Sequence, residues 1–210
     1  MGYFTDPNNN FTVYDVPKGG GTTILSWISY AGTGDLLLEG NGEYYHANNH
    51  SYSLLSEWGY SCDYFTSVEG ERICVKRDPI KRFISCYKDK AVKENRMPGV
   101  SITDLIDNFD ELIAKYDAPH PSNKKIGYLA YHFAPQAEVL GTDKDYYTHV
   151  FDISEVSTSV KTYLEGKWEI ELPDLHCRNS GKAKSTIELS EEYLEKLRDL
   201  YSVDYDTGWF

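Results

Sequence analysis

A glycine-rich turn between an apolar strand and a helix constrains this chain more than any other feature of its sequence. Residues 14–25 read YDVPKGGGTTIL, and they continue an apolar-leaning stretch at residues 11–16. Glycine lets the main chain approach an anion closely, and a helix N-terminus offers unpaired N–H groups and the positive end of a dipole. The pattern predicts a phosphate-binding loop that leads from a strand into a helix.

The position of the lysine distinguishes this loop from the one that binds nucleoside triphosphates. Lys18 precedes the glycines at positions 19–21, whereas the motif G-x-x-x-x-G-K-[ST] places its lysine after them. This order points away from ATP or GTP and toward a different phosphorylated donor. The alternative for Lys18 is an ordinary surface lysine. Thr22 and Thr23 are also suited to cap the helix, a role that is compatible with phosphate binding.

Strands alternate with helices along the chain. Apolar runs at residues 72–77 and 149–153 predict further buried strands, and apolar stripes predict helices at about 79–94 and 101–116. The alternation predicts an α/β fold with a P-loop-type parallel sheet flanked by helices in three layers, α/β/α. Ligands of such sheets bind beyond the carboxyl ends of the strands.

Length and composition limit the class of protein. A chain of 210 residues suits one domain, and we expect residues 11–210 to form it after a loose lead-in at residues 1–10. The net charge of −12 disfavours nucleic acid and anionic membranes as partners. No apolar run approaches the roughly 18 to 20 residues of a membrane span, and no secretory signal is recognisable. Four cysteines without C-x-x-C spacing indicate reduced thiols, so we expect a cytoplasmic protein.

A second candidate anion site follows the strand at residues 72–77. Residues 72–90 read RICVKRDPIKRFISCYKDK, in which Asp78 can cap a helix that begins with proline. Arg77 lies at the end of the strand, and Ser85 lies roughly two helical turns further on. A guanidinium group and a hydroxyl group together suit a phosphate monoester. The alternative is a solvated basic helix, since runs of charge usually mark a surface.

Together the two segments resemble the nucleotide-binding motifs of sulfotransferases. Residues 17–23 resemble the 5′-phosphosulfate loop of that family, and residues 75–90 resemble its 3′-phosphate motif, of the type R-D-P…R-x-x-S-x-Y-x-D-K. The similarity is to the carbohydrate-sulfotransferase branch. Weaker matches lie at residues 132–136 (HFAPQ), 178–182 (RNSGK) and 201–206 (YSVDYD). The matches keep the family's order and cover nearly the whole chain.

The resemblance implies transfer of a sulfuryl group from 3′-phosphoadenosine 5′-phosphosulfate (PAPS) to a hydroxyl group, which leaves 3′-phosphoadenosine 5′-phosphate (PAP). Such an in-line displacement depends on positioning and charge stabilisation and needs no metal. Lys18 is placed to stabilise the charge on the bridging oxygen of the leaving group. The residues that the resemblance assigns to the donor are Pro17, Lys18, Gly19, Gly20, Gly21, Thr22, Thr23, Arg77, Ser85, Arg178 and Lys182.

The acceptor hydroxyl needs a general base, for which histidine or glutamate is suited. His50 resembles a histidine found between the two nucleotide motifs in many family members, so we predict His50, and after it His46, as the base. Glu39, Glu43 and His132 are further candidates, and for His132 a structural role in a packed corner is the stronger expectation.

The partners and two other functions stay open at this point. We expect a carbohydrate or another small hydroxyl-bearing acceptor and, without the membrane anchor of Golgi-resident relatives, a bacterial or viral enzyme. A P-loop small-molecule kinase would need a lysine after the glycines, which is missing, although Thr22 could hold its magnesium ion. A nucleotide-binding protein without activity is the third possibility. The sequence names neither the acceptor nor the oligomeric state.

Overall fold

The computed structural model describes residues 2–6, 8–34, 60–61, 70–119, 127–175 and 186–210. The chain divides into two compact units. Unit 1 comprises residues 1–76 and 145–179, and unit 2 comprises residues 77–144 and 180–210. A single domain over residues 11–210 stays a prediction. Within the described ranges, no helix combines the length and the apolar character that crossing a membrane requires.

Strands and helices follow one another largely in the predicted order. Numbered along the chain, the described strands are β1 (Gly2–Asp6), β2 (Phe11–Asp15), β3 (Tyr60–Ser61), β4 (Glu71–Lys76) and β5 (His149–Asp152). The described α-helices are α1 (Gly21–Thr33), α2 (Pro79–Cys86), α3 (Ile102–Asp107), α4 (Phe109–Tyr116), α5 (Tyr128–Phe133), α6 (Gln136–Leu140), α7 (Lys161–Trp168), α8 (Glu191–Leu200) and α9 (Ser202–Asp206). Wider π-helical turns lie at Tyr87–Lys93 and Val156–Val160.

The sheet belongs to unit 1 and has the strand order β3-β1-β2-β4-β5. Strands β2, β4 and β5 run parallel, with Tyr14 opposite Cys74 and Cys74 opposite Val150. Strand β1 runs antiparallel to β2, and β3 runs antiparallel to β1. The predicted α/β class with a helix-flanked sheet is confirmed, and the sheet is mixed rather than wholly parallel. The carboxyl ends of β2 and β4 are neighbours at the edge where such sheets bind ligands.

Strand β1 stands where the sequence suggests a loose lead-in, and this part of the prediction is corrected. The strand pairs with β2 along its whole length. The asparagine run forms the hairpin turn, because Asp6 Oδ1 accepts hydrogen bonds from the N–H groups of Asn8 at 3.0 Å and Asn9 at 3.1 Å. Asn10 completes the turn with a φ of 53°, a left-handed conformation that asparagine tolerates. A polar run that reads as a tail is therefore a turn between paired strands.

The apolar stripe of α1 fixes that helix against the sheet of unit 1. Ile24, Trp27 and Ile28 have the spacing i, i+3, i+4 of one helix face, and all three are buried. They share one hydrophobic cluster with Val13 of β2. The indole N–H of Trp27 donates to the carbonyl oxygen of Pro173 at 2.9 Å, so its polar edge is also satisfied. This packing holds the N-terminus of α1 near the end of β2.

The helices of unit 2 enclose a second hydrophobic core. Phe83 of α2 lies at its centre, with ring centroids 5.3 Å from Phe133 and 6.2 Å from Tyr201. All three side chains are completely buried. The helix predicted at 101–116 is divided into α3 and α4, because Asn108 leaves the helical conformation at φ −128° and ψ 41°.

A cluster of polar side chains in unit 1 surrounds Glu71, the first residue of β4. Its carboxylate accepts hydrogen bonds from Lys167 at 2.7 Å, from His149 at 3.2 Å and from Tyr163. The hydrogen bond from Lys167, and after it that from Tyr163, lowers the pKa of Glu71 from 4.5 to about 2. The ionised carboxylate is therefore stabilised by folding, and this contribution to stability is present above pH 4.5 and is lost as the pH falls toward about 2.

We expect Glu71→Gln to unfold at a lower urea concentration than the wild type near neutral pH. The difference in unfolding free energy between the two proteins should shrink below pH 4.5, because the unfolded wild type then takes up a proton that the folded protein does not bind. Urea unfolding at several pH values between about 7 and about 3 measures this difference. Glu171→Gln, a change at an exposed position of the same unit, is the matched control. A difference that stays constant over the whole range would contradict the role of Glu71.

Candidate active site

The glycine loop of unit 1 connects β2 to α1 through a tight turn. Pro17 and Gly19 are buried and Lys18 is half-buried. The N–H group of Gly19 donates to the carbonyl oxygen of Val16 at 2.9 Å and closes the turn. Lys18 has a φ of 67°, a left-handed conformation that costs a residue with a side chain about 1–2 kcal/mol. Such strain is typical of functional sites, where the surrounding packing maintains it.

The first turn of α1 presents amide groups that no other part of the described chain satisfies. Gly20 occupies the N-cap position and has no side chain with which to cap the helix. The N–H groups of Thr23 and Ile24 both donate to the carbonyl oxygen of Gly20, at 3.0 and 3.3 Å. In the described ranges, no protein acceptor is found for the N–H groups of Gly21 and Thr22. No acidic residue lies in this turn, so the positive end of the helix dipole suits an anion.

The neighbouring elements leave no room for side chains in this loop. A Cβ atom on Gly19 would lie 2.6 Å from Val16 Cγ1 and 3.0 Å from the carbonyl oxygen of Val75 in β4. Gly20 has a φ of 90°, and a Cβ atom there would lie 3.0 Å from Val156 Cγ2. Gly19 thus packs against Val16 and the end of β4, and Gly20 packs against Val156, so two glycines of the loop have a structural explanation. The contributions of Val75 and Val156 carry no signal in the sequence, because both are distant along the chain.

The second candidate anion site begins unit 2, directly after β4. The side chain of Asp78 accepts a hydrogen bond from the N–H group of Lys81 at 2.8 Å, and Pro79 is the first residue of α2. The N–H group of Arg77 donates to Gln136 Oε1 at 2.9 Å, and its carbonyl oxygen accepts from Gln136 Nε2 at 2.7 Å. The predicted cap and helix start are therefore present, and the main chain of Arg77 is held on both sides.

Helix α2 buries two polar side chains that a solvated basic helix would expose. Arg82 is 0% exposed, and its guanidinium group donates to the carbonyl oxygens of His132 at 3.1 Å and of Ala134. Ser85 is 4% exposed, and its hydroxyl group has no hydrogen-bond partner among the described residues. A buried hydroxyl without a partner is rare and costly in a folded protein, so Ser85 is suited to meet a ligand.

Lys90, in the π-helical turn that follows α2, is a second buried basic residue of this segment. It is buried, and its ammonium group contacts Glu94 at 2.6 Å, the hydroxyl of Tyr128 at 2.8 Å and Asp89 at 3.1 Å. Burial by itself lowers the pKa of Lys90, but the hydrogen bonds to Glu94 and Tyr128 outweigh it and raise that pKa. Lys90 therefore stays charged within a satisfied network, whereas Lys81 is exposed. The solvated-helix interpretation holds for only part of the segment.

The predicted general bases fall on residues that the structure does not describe. His46, His50, Glu39 and Glu43 lie outside the described ranges, as do Arg178 and Lys182. His132 is half-buried in unit 2, where its Nδ1 atom lies 2.7 Å from the carbonyl oxygen of Tyr128. This contact is consistent with the structural role that the sequence suggests for His132. The identity of the base stays a prediction.

The described residues contain no group of three or more histidine, cysteine, aspartate or glutamate side chains that could hold a metal ion. The absence of a metal from the reaction stays a prediction.

Comparison with known proteins identifies the family. The model of the "Sulfotransferase family" matches residues 1–207. A crystal structure of a sulfotransferase from Alicyclobacillus acidocaldarius matches with 12% sequence identity and a TM-score of 0.45, and the match covers 94% of this chain and 93% of that one. No curated protein matches the chain. Because the family model spans 207 of the 210 residues, the chain belongs to the sulfotransferase family.

Proposed function

We propose that the protein transfers a sulfuryl group from PAPS to the hydroxyl group of a carbohydrate or another small molecule. Membership in the sulfotransferase family supports the reaction class. The observation that carries the proposal is the first turn of α1, where the amides of Gly21 and Thr22 have no acceptor in the described chain. Lys18 lies three residues before Gly21. Such a turn suits the 5′-phosphosulfate end of the donor.

Each part of the glycine loop has a role in the proposed reaction. The acceptor oxygen forms a bond to sulfur while the bond between sulfur and the bridging oxygen of PAPS breaks, so negative charge develops on the bridging oxygen. The amides of Gly21 and Thr22, with the hydroxyls of Thr22 and Thr23, hold the 5′-phosphate. Lys18 stabilises the developing charge, which raises the rate because this interaction strengthens in the transition state.

The 3′-phosphate is assigned to Arg77 and Ser85. The buried hydroxyl of Ser85 gains a hydrogen bond that the described residues do not supply. The guanidinium group of Arg77, the residue that follows β4 in the chain, supplies the charge. Binding of both phosphorylated ends of one nucleotide would account for two anion-binding segments in one chain.

The remaining parts of the proposal come from the sequence. The proton of the acceptor hydroxyl passes to His50 or, second in order, to His46. Arg178 and Lys182 are assigned to the nucleotide through the family resemblance alone. The carbohydrate-sulfotransferase branch, the absence of a nucleic-acid partner, the cytoplasmic location and a bacterial or viral origin also stay predictions.

PAP is expected to raise the melting temperature of the protein without magnesium. A ligand that binds only the folded state at 100 times its Kd adds about 2.7 kcal/mol of stability. Thermal unfolding with PAP, with ATP and magnesium, and without ligand measures the effect. Stabilisation by ATP and magnesium alone would favour the kinase. Stabilisation by PAP without sulfuryl transfer to any of a broad panel of hydroxyl acceptors would favour a binding protein without activity.

A further inference from the structure

We propose that Gln136 is a positioning residue for the 3′-phosphate of the donor, because it fixes the main chain of Arg77, and that Asp204 in turn fixes Gln136. The inference rests on the proposed function, since it takes Arg77 to be the group that binds the 3′-phosphate. It goes beyond that function by giving two residues that act through Arg77 a part in the preference for a 3′-phosphorylated nucleotide.

The contact between Gln136 and Arg77 is a clamp made of two opposite hydrogen bonds. The amide group of Gln136 accepts from the N–H group of Arg77 at 2.9 Å and donates to its carbonyl oxygen at 2.7 Å. A neighbouring strand would make the same pair of bonds, so Gln136 extends the strand-like pairing by one residue beyond the end of β4. Because both main-chain groups of Arg77 are held, the direction of its Cα–Cβ bond is fixed. The position from which the Arg77 side chain extends is therefore fixed as well.

Gln136 is itself held from the other side. Its side chain is 0% exposed, so the surrounding packing restricts its rotamers. Its N–H group donates to Asp204 Oδ2 at 3.1 Å, and the N–H group of Ala137 donates to Asp204 Oδ1 at 2.7 Å. Asp204, which is also 0% exposed, thus satisfies the first amides of α6. The fixed chain of contacts runs from Asp204 through Gln136 to the main chain of Arg77.

A positioning role and a purely structural role predict different results for nucleotide selectivity. If Gln136 only stabilises unit 2, its loss lowers the melting temperature but leaves the relative affinities for different nucleotides unchanged. If it positions Arg77, its loss weakens specifically the binding of nucleotides that carry a 3′-phosphate. Adenosine 5′-phosphate (AMP) lacks that group and otherwise equals PAP, so the ratio of the two dissociation constants isolates the 3′-phosphate.

The test compares the wild type with Gln136→Met, which keeps the length of the side chain and removes both hydrogen bonds. Calorimetric titration with PAP and with AMP gives the two dissociation constants. We expect Gln136→Met to reduce the preference for PAP over AMP by about tenfold or more, as the loss of an oriented charged contact would. The Kd for AMP should change by less than about twofold. Asp204→Asn removes one of the two acceptor oxygens and should shift the ratio in the same direction by a smaller factor.

Tyr201→Phe is the matched control. It removes the buried hydrogen bond from the Tyr201 hydroxyl to the carbonyl oxygen of Phe133, at 2.7 Å, which lies in the same unit and involves neither Arg77 nor Gln136. It should lower the melting temperature and leave the ratio of dissociation constants unchanged. An unchanged ratio in Gln136→Met and Asp204→Asn, in a protein whose wild type prefers PAP, overturns the inference alone. A wild type that binds PAP no better than AMP overturns the 3′-phosphate assignment and the inference with it.

Discussion

Replacing Lys18 with alanine is expected to lower kcat about 100- to 1,000-fold while much of the affinity for PAP remains, because charge on the bridging oxygen develops only in the transition state. Turnover with labelled PAPS and titration with PAP measure the two effects separately. Arg77→Ala is the matched comparison and should show the opposite pattern, a Kd for PAP that rises about 10- to 100-fold. Equal losses of PAP affinity in both variants would contradict the assigned roles.

Lys18→Gly separates the chemistry of Lys18 from its conformation. The φ of 67° at this position is strained for lysine and for alanine but not for glycine. Both variants lack the ammonium group and should lose activity to a similar extent. Because only alanine keeps the strain, Lys18→Gly should be more stable to urea than Lys18→Ala by about 1 kcal/mol. A glycine variant no more stable than the alanine variant would show that the loop relaxes when the lysine is removed.

Gly19→Ala is expected to lower the free energy of unfolding by about 1–3 kcal/mol, the usual cost of inserting a methyl group into a packed site. The new methyl group would lie 2.6 Å from Val16 Cγ1, and β-branched valine has few other rotamers to adopt. Because the displaced atoms belong to the loop to which we assign the 5′-phosphate, PAP binding should weaken in the same variant. Urea unfolding and PAP titration measure the two losses.

Gly166→Ala is the control for this substitution. Gly166 lies in α7 of the same unit, and a Cβ atom there would meet nothing within 4 Å. Alanine is favoured over glycine inside a helix by about 0.5–1 kcal/mol, so Gly166→Ala should stabilise the protein. The two glycines thus predict changes of opposite sign. A Gly19→Ala variant as stable as the wild type would mean that the loop does not pack tightly on β4.

The elements with strong local signals were predicted well. The glycine loop, the helix that follows it, the three parallel strands and the Asp78–Pro79 helix start all lie where the residues predict them, to within a few positions. Each depends on neighbours in sequence: alternating or helical apolar patterns, a capping aspartate, or glycine before a helix. The asparagine run failed as a signal because the same polar residues suit a loose tail and a hairpin turn equally well, and only pairing with β2 distinguishes them.

The candidate site shows the same division. Lys18 stands out in the sequence because glycines follow it directly. Arg77 stands out because it directly precedes the Asp78–Pro79 helix start, and Ser85 because it lies in the helix that begins there. Gln136 and Asp204 lie in the segments HFAPQ and YSVDYD, which resemble the family, but the sequence does not connect either residue with Arg77. They lie 59 and 127 positions after Arg77, and their link to it consists of hydrogen bonds alone. Arg82 fits the alternative of a solvated basic helix when the sequence is taken alone, but the fold buries its side chain completely.

The motifs in the amino-acid order carry the resemblance to the family. The order also determined the loop and the alternation of strands and helices. Those properties follow from short-range periodicity and capping, which need no knowledge of distant contacts. Only the tertiary structure decided that a side chain at Gly19 would meet the carbonyl oxygen of Val75 in β4, that Ser85 is buried with no hydrogen-bond partner among the described residues and that Gln136 holds the main chain of Arg77. Burial and long-range hydrogen bonds arise when segments far apart in the chain meet, so no local pattern could have foretold them.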